Sequence, residues 1–184
     1  MCRPRQLNPL FALKDFGFHR RLRIVRNHLG EARRILDIGA NDGQMLSELC
    51  RQTGKDYFPV ALEAGFGALK SFAGAAICAS ADAIPIRDGF FDYVVCSASR
   101  KHIRNSLALA KEAYRVLRPG GKFLVIDPCA VIVRIGLRIG KFDRRYLHHV
   151  PNRSEIRAEL KGAGFESVRV RGVAFVQVIG IKVG

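Results

Sequence analysis

Residues 34–43 read Arg-Ile-Leu-Asp-Ile-Gly-Ala-Asn-Asp-Gly. A short apolar run, Ile35, Leu36 and Ile38, carries Asp37 within it and then meets a turn punctuated by Gly39 and Gly43. Behind the turn, Gln44-Met-Leu-Ser-Glu-Leu-Cys50 sets Met45, Leu46 and Leu49 at helical spacing. That order predicts a buried strand, a tight turn and a helix. The glycines let the backbone turn sharply and approach a ligand with no Cβ between them, and the helix opens with unsatisfied N–H groups. In an open α/β sheet such a turn is the usual seat of a nucleotide-like cofactor.

The same alternation continues outward. Residues 10–29 predict a basic amphipathic lead-in helix with Phe16, Leu22, Val25 and Leu29 as its apolar side. Strands at 34–38, 57–62, 76–78, 91–96 and 122–127 alternate with helices at 42–51, 65–73, 104–117 and 154–162. Pro119-Gly120-Gly121 stops the helix at 104–117, and Ser154 is the expected cap of the last one. Two closing strands, 165–171 and 174–182, meet at Gly172 too tightly for a helix between them, which predicts an antiparallel hairpin on a mostly parallel sheet. The expected fold is α/β, a Rossmann-like seven-stranded sheet, with residues 1–30 as a basic lead-in and 31–184 as one domain. The spacing Gly39-Ala-Asn-Asp-Gly43 lacks the G-x-G-x-x-G of dinucleotide-binding dehydrogenases.

Composition narrows the class. A chain of 184 residues, 48 % apolar and 26 % charged, matches one globular domain. No apolar run approaches the roughly 20 residues of a membrane span; the nearest, 129–139, is broken by Arg134 and Arg138. No signal-peptide core follows the basic N-terminus. Cys2, Cys50, Cys78, Cys96 and Cys129 form no CxxC pair, which speaks against a disulfide framework and a zinc site. A reduced, cytoplasmic setting is expected, soluble or peripheral to a membrane.

The net charge of +15 is uneven. Residues 1–34 hold nine basic and two acidic side chains, 35–99 hold four and eight, and 100–145 hold twelve and three. The excess lies outside the presumed cofactor half and suits an anionic partner: a membrane surface, a phosphorylated substrate or nucleic acid.

Four pieces then fall in order. They are Ile35-Leu-Asp-Ile-Gly-Ala-Asn-Asp-Gly43; Glu63 at a strand end; Asp82-Ala-Ile-Pro-Ile86 with Phe90-Phe-Asp-Tyr-Val94; and Arg115-Val-Leu-Arg-Pro-Gly-Gly121. On these, the chain from about residue 33 to 170 resembles the class I S-adenosylmethionine-dependent methyltransferases, in particular the small single-domain branch called type 11. The resemblance implies strand order 3-2-1-4-5-7-6 and S-adenosylmethionine as cofactor. It implies that Gly39 and Gly43 bring backbone against the methionyl and ribose portions, that Asp37 favours the ammonium, and that Glu63 takes the ribose hydroxyls. Asp82 would accept from the adenine amino group, with the Ala83 N–H near the ring, and Ser97 would border the site. Each acid has a structural alternative: a cap for Asp37, a solvated strand end for Glu63, a turn for Asp82. Asp92 is expected to anchor the turn before its strand rather than to touch ligand. The family's middle glycine is Asn41 here, a residue that tolerates left-handed backbone and whose side chain would crowd the cofactor or add a hydrogen bond.

Methyl transfer from a sulfonium needs alignment and exclusion of water more than acid–base chemistry. For a hydroxyl acceptor, His102 is the candidate base; the competing reading is a histidine that packs within its loop. His148-His149 is read as a solvated loop rather than a metal site. The segment Cys96-Ser-Ala-Ser99 lacks the Asn/Asp-Pro-Pro-aromatic of nucleobase amino methylation, and Cys96 and Cys129 match the cytosine C5 pattern poorly. Residues 130–146 mix apolar and basic side chains, as do Arg20, Arg21, Arg23 and Arg26; this pattern suits a helix resting on a membrane or covering a substrate. The expectation is methyl transfer to a small-molecule or lipid-like acceptor, with an RNA methyltransferase or a non-catalytic cofactor-binding subunit as alternatives.

Overall fold

The computed structural model describes residues 9–54, 57–63, 72, 74–140, 152–172 and 174–183, with the backbone alone at 9–16, 59, 60 and 63. The helix expected at 65–73, the His148-His149 pair and the side chain of Phe16 lie outside the described residues.

The elements run α1 (Pro9–Leu29), β1 (Arg34–Ile38), α2 (Gln44–Thr53), β2 (Phe58–Glu63), β3 (Ala75–Cys78), β4 (Phe91–Ser97), a 3₁₀ turn (Arg100–His102), α3 (Ser106–Val116), β5 (Leu117–Pro128), α4 (Ala130–Arg138), α5 (Arg153–Gly162), β6 (Ser167–Arg171) and β7 (Phe175–Ile181). They build a seven-stranded sheet of order β3-β2-β1-β4-β5-β7-β6, the order the resemblance implies. Strands β1 to β5 pair in parallel, and β7 runs antiparallel to both β5 and β6. β1 sits in the interior because it is apolar on both faces: Ile35, Leu36 and Ile38 are buried completely.

Side-chain alternation divides the core into two layers. Ile35, Tyr93, Val95 and Leu124 pack against Leu22, Val25 and Leu29 of α1 and Leu46 and Leu49 of α2. Leu36, Ile38, Val94 and Phe123 pack on the other side, against Leu109 and Val116 of α3 and Ile156 and Leu160 of α5. The lead-in helix is thus a layer of the fold, held by three buried aliphatic side chains one and two turns apart.

Three local details differ from the sequence expectation. β5 begins at Leu117 rather than at 122, because Leu117 leaves the helix with ψ 137 and pairs with Phe91. The Pro-Gly-Gly turn then bonds across to β7's end, Gly120 N–H to Lys182 O at 2.7 Å and Lys182 N–H to Gly121 O at 3.0 Å. α5 is capped by Asn152, whose side chain accepts from the Ser154 N–H at 3.0 Å, so Ser154 lies inside the helix. Asp92 anchors more than its own strand. One oxygen accepts both the Arg33 and Arg34 N–H groups at 2.8 Å, and the other accepts Arg118 Nε at 2.6 Å, joining the start of β1 to the start of β5.

Candidate cofactor and active site

Strand order reverses between β1 and β4, and in open α/β sheets ligands bind beyond the carboxyl ends of the strands at that point. A cavity of about 790 Å³ opens there, lined by Phe18, His19 and Arg21 of α1, Asp37, the loop from Gly39 to Asp42, Gln44, Met45 and Glu48 of α2, and Ser97, Ala98, Ser99 and His102 at the end of β4. A second cavity of about 400 Å³ shares Gly39, Ser99 and His102 with it and extends over Ile38 and Leu62 to the 79–82 loop.

The glycine loop folds as its composition requires. Gly39, Asn41 and Gly43 take φ values of 71, 52 and 74°, all left-handed. The Gly39 and Ala40 N–H groups donate to Leu62 O at 2.8 and 3.2 Å, tying the loop to the end of β2. A Cβ on Gly39 would fall 2.4 Å from the Ser99 Cβ. Asn41 supplies the left-handed conformation in place of glycine and leaves its side chain exposed on the larger cavity. Gly43 lines neither of these two cavities, and a Cβ there would meet the Phe72 ring at 2.4 Å. Its missing side chain makes room for Phe72.

Asp37 lines the larger cavity and is 3 % exposed. Glu63 ends β2, beside the Leu62 carbonyl that holds the glycine loop and in register with Cys78; its side chain lies outside the described residues. Asp82 is exposed on the smaller cavity and accepts from Ser80 Oγ. Its loop is held to α3 by Glu112, which accepts the Ile84 N–H at 2.8 Å, and by Arg115, which donates to Ile84 O at 2.8 Å and Ile86 O at 2.7 Å. The Arg115 guanidinium beside it holds the Glu112 carboxyl below the usual carboxylate range, against the opposing effect of partial burial. The Ala83 N–H donates back to Ser80 O at 3.2 Å and lines neither cavity.

After β4 the chain turns sharply. Ala98 has φ 59, a left-handed value outside glycine, and its carbonyl accepts the Nζ of Lys101, which is 3 % exposed. Ser97 places its Oγ, shut from solvent and without a hydrogen-bond partner, at the larger cavity. His102 stands exposed where the two cavities meet. The turn is fastened from behind by Arg100, 1 % exposed, whose Nη2 donates to both Glu159 oxygens at 2.6 and 2.7 Å. Ser106 Oγ donates to the same carboxylate at 2.5 Å. Cys96 is buried completely, and burial together with Asp127 and Asp37 pushes its thiol far up, which removes it as a nucleophile. Among the described residues no cluster of three or more His, Cys, Asp or Glu could hold a metal ion, and no helix is long and apolar enough to cross a membrane.

Comparison with known proteins agrees with this architecture. A family model described as a methyltransferase domain matches residues 36–125, the span from β1 to β5. The ubiquinone/menaquinone biosynthesis C-methyltransferase UbiE of Escherichia coli is 27 % identical over 192 aligned residues, covering 85 % of this chain and 76 % of that one. The UbiE of Pectobacterium carotovorum is 26 % identical over the same shares. Among solved structures, a possible histamine N-methyltransferase of Thermotoga maritima superposes with TM-score 0.78 at 20 % identity, over 94 % of this chain and 92 % of that one. Over residues 36–125 the chain is a methyltransferase domain, and S-adenosylmethionine is the cofactor this implies.

The residues present fit that cofactor. A Gly39 Cα that tolerates no side chain, a buried Asp37 and an unpartnered Ser97 Oγ border the larger cavity, and Asp82 borders the smaller one. Acidic side chains suit a sulfonium cation that also carries an ammonium. The contribution of α1 is not legible in the sequence alone. Phe18, His19 and Arg21 read as parts of a basic surface helix, and only the packing of Leu22 and Val25 against the sheet turns this stretch toward the methyltransferase site. Arg20 and Arg23 remain exposed as expected; Arg21 does not.

Proposed function

We propose that this methyltransferase methylates a ring carbon of a small aromatic acceptor of the quinol class, reached at an anionic membrane surface. The similarity to UbiE proteins along 85 % of the chain is the observation that carries the acceptor class. The outer face of α4 supports the surface: Val131, Ile135 and Ile139, one turn apart, are 62, 51 and 58 % exposed beside exposed Arg134 and Arg138. Apolar side chains entering the headgroup boundary with arginines over anionic phosphates are the pattern of an interfacial helix.

Bound S-adenosylmethionine supplies an electrophilic methyl group. Asp37 would hold the ammonium, Gly39 and Asn41 would present backbone to the methionyl and ribose portions, Glu63 would take the ribose hydroxyls, and Asp82 would meet the adenine edge. Ser97 borders the methyl-bearing end. That methyl group would pass to the acceptor carbon as its bond to sulfur breaks, with S-adenosylhomocysteine as the leaving group. His102, at the junction of the cavities, takes the proton that the acceptor hydroxyl gives up as the ring becomes nucleophilic. The lead-in helix and the domain from residue 31 onward act as one unit in this reading, since α1 closes the cavity.

Transfer of a tritiated methyl group from S-adenosylmethionine to reduced demethylated quinones, total lipid, RNA and protein tests the reading. Label in the quinol is expected, with the protein co-sedimenting with vesicles containing anionic lipid. Label confined to RNA would overturn the acceptor class and favour nucleic acid as the partner of the basic surface.

A further inference from the structure

The larger cavity holds an arginine that no family motif accounts for. Arg21 lies on the inward side of α1, one residue before Leu22, which is 1 % exposed, and four before Val25, which is buried completely. Its backbone is therefore fixed against the sheet. Its Nε is shut from solvent and has no hydrogen-bond partner. Burial lowers the guanidinium's pKa, and the charges of Asp37 and Asp127 oppose that shift.

The charge inventory of this cavity makes Arg21 distinctive. Among the described lining residues, Asp37, Asp42 and Glu48 are acidic, and Arg21 is the single arginine or lysine. The nearby Lys101 does not line the cavity and donates to the Ala98 carbonyl. The amino-acid end of the cofactor is a zwitterion. An ammonium is well served here, but a carboxylate brought into the same space would meet three acids and one guanidinium.

We infer that Arg21 is the counter-ion for the methionyl carboxylate of the cofactor, so that Arg21 and Asp37 together read the zwitterion, carboxylate on one and ammonium on the other. This rests on the cofactor assignment of the proposed function and extends it to the lead-in helix. A guanidinium presents several fixed N–H donors to a carboxylate, a geometry that lysine does not reproduce. The helix bearing Arg21 thereby becomes part of the cofactor site: binding fastens α1 to the end of β1 through the ligand, and Phe18 and His19 close the same side.

Calorimetry on the full chain tests this with three ligands. S-adenosylhomocysteine carries ammonium and carboxylate, its decarboxylated analogue carries only the ammonium, and 5′-methylthioadenosine carries neither. Wild type is expected to bind S-adenosylhomocysteine roughly 10- to 100-fold more tightly than the decarboxylated analogue, the range of one charge-assisted contact. Arg21→Met should weaken S-adenosylhomocysteine by a similar factor and leave the decarboxylated analogue within about threefold, with Arg21→Lys between the two. Unchanged binding of 5′-methylthioadenosine reports that a variant is folded, and the wild-type comparison of ligands needs no variant. Equal loss of both amino-bearing ligands in Arg21→Met would make Arg21 merely structural and overturn the inference. So would no loss of either ligand; a raised KM for the acceptor alongside would assign Arg21 to an acceptor oxyanion. Failure of wild type to bind any of the three ligands would overturn the cofactor assignment itself and this inference with it.

Discussion

Ser99 Oγ donates to the Gly39 carbonyl at 2.9 Å, and the same serine stands where a Gly39 side chain would go, 2.4 Å from the position of its Cβ. The loop after β4 and the glycine loop after β1 are therefore locked face to face across the switch point. Gly39→Ala meets both the left-handed backbone, at about 1–2 kcal/mol for a residue with a Cβ, and the serine. S-adenosylhomocysteine binding by Gly39→Ala is expected to fall below detection in calorimetry. Ser99→Ala, which removes one hydrogen bond worth about 1 kcal/mol, should retain it. Gly39→Ala combined with Ser99→Gly relieves the clash but not the backbone, and should recover stability only in part.

Arg100 and Glu159 form a buried pair between the turn after β4 and α5, with side chains 1 and 14 % exposed. Removing one partner of such a pair leaves a charge without compensation and costs about 3–5 kcal/mol. Arg100→Met is expected to lower Tm by roughly 6–20 °C for a chain of this size, read by circular dichroism. Arg100→Met with Glu159→Leu, which removes both charges, should regain more than half of the loss; an additive double variant would show that the pair is not coupled.

Asp92 is held by donors. Burial raises its carboxyl pKa, but the Arg34 and Arg33 N–H groups and Arg118 outweigh burial and leave it below the ordinary range. A carboxyl whose folded pKa lies below its unfolded value near 4 stabilises fully above that value and loses the contribution as pH falls through the folded one. Asp92→Asn should therefore lower Tm at pH 7 and narrow the gap to wild type below pH 4. A gap that widens in acid would contradict the assignment.

Cys96 lies beneath the site with no exposure. Cys96→Ala is expected to keep methyl transfer within about threefold, since it removes only a small buried group. The thiol should stay unlabelled by maleimide in the folded protein and react after denaturation, as followed by mass spectrometry. Loss of transfer in this variant would restore the cytosine methylation chemistry that the burial argues against.

Asn41 already has the φ of 52° that a glycine would provide. Asn41→Gly should leave S-adenosylhomocysteine affinity within about threefold, because the strain of a left-handed asparagine is small. A gain of tenfold or more would mean that the amide crowds the cofactor.

The strand order, the closing hairpin and the left-handed turn after the first strand were legible in the chain. The reason is local. Apolar periodicity reports which elements bury a face, and a turn that needs left-handed backbone selects glycine or asparagine at that position. Tertiary structure alone decided which side of α1 faces the site, turning Arg21 into the cavity and leaving Arg20 and Arg23 in water. It also decided that Gly43 makes room for Phe72, that Asn152 rather than Ser154 caps α5, and that Arg100 pairs with Glu159, 59 positions away. Those outcomes depend on partners distant in sequence, and the pattern of one segment carries no record of what the fold will lay against it.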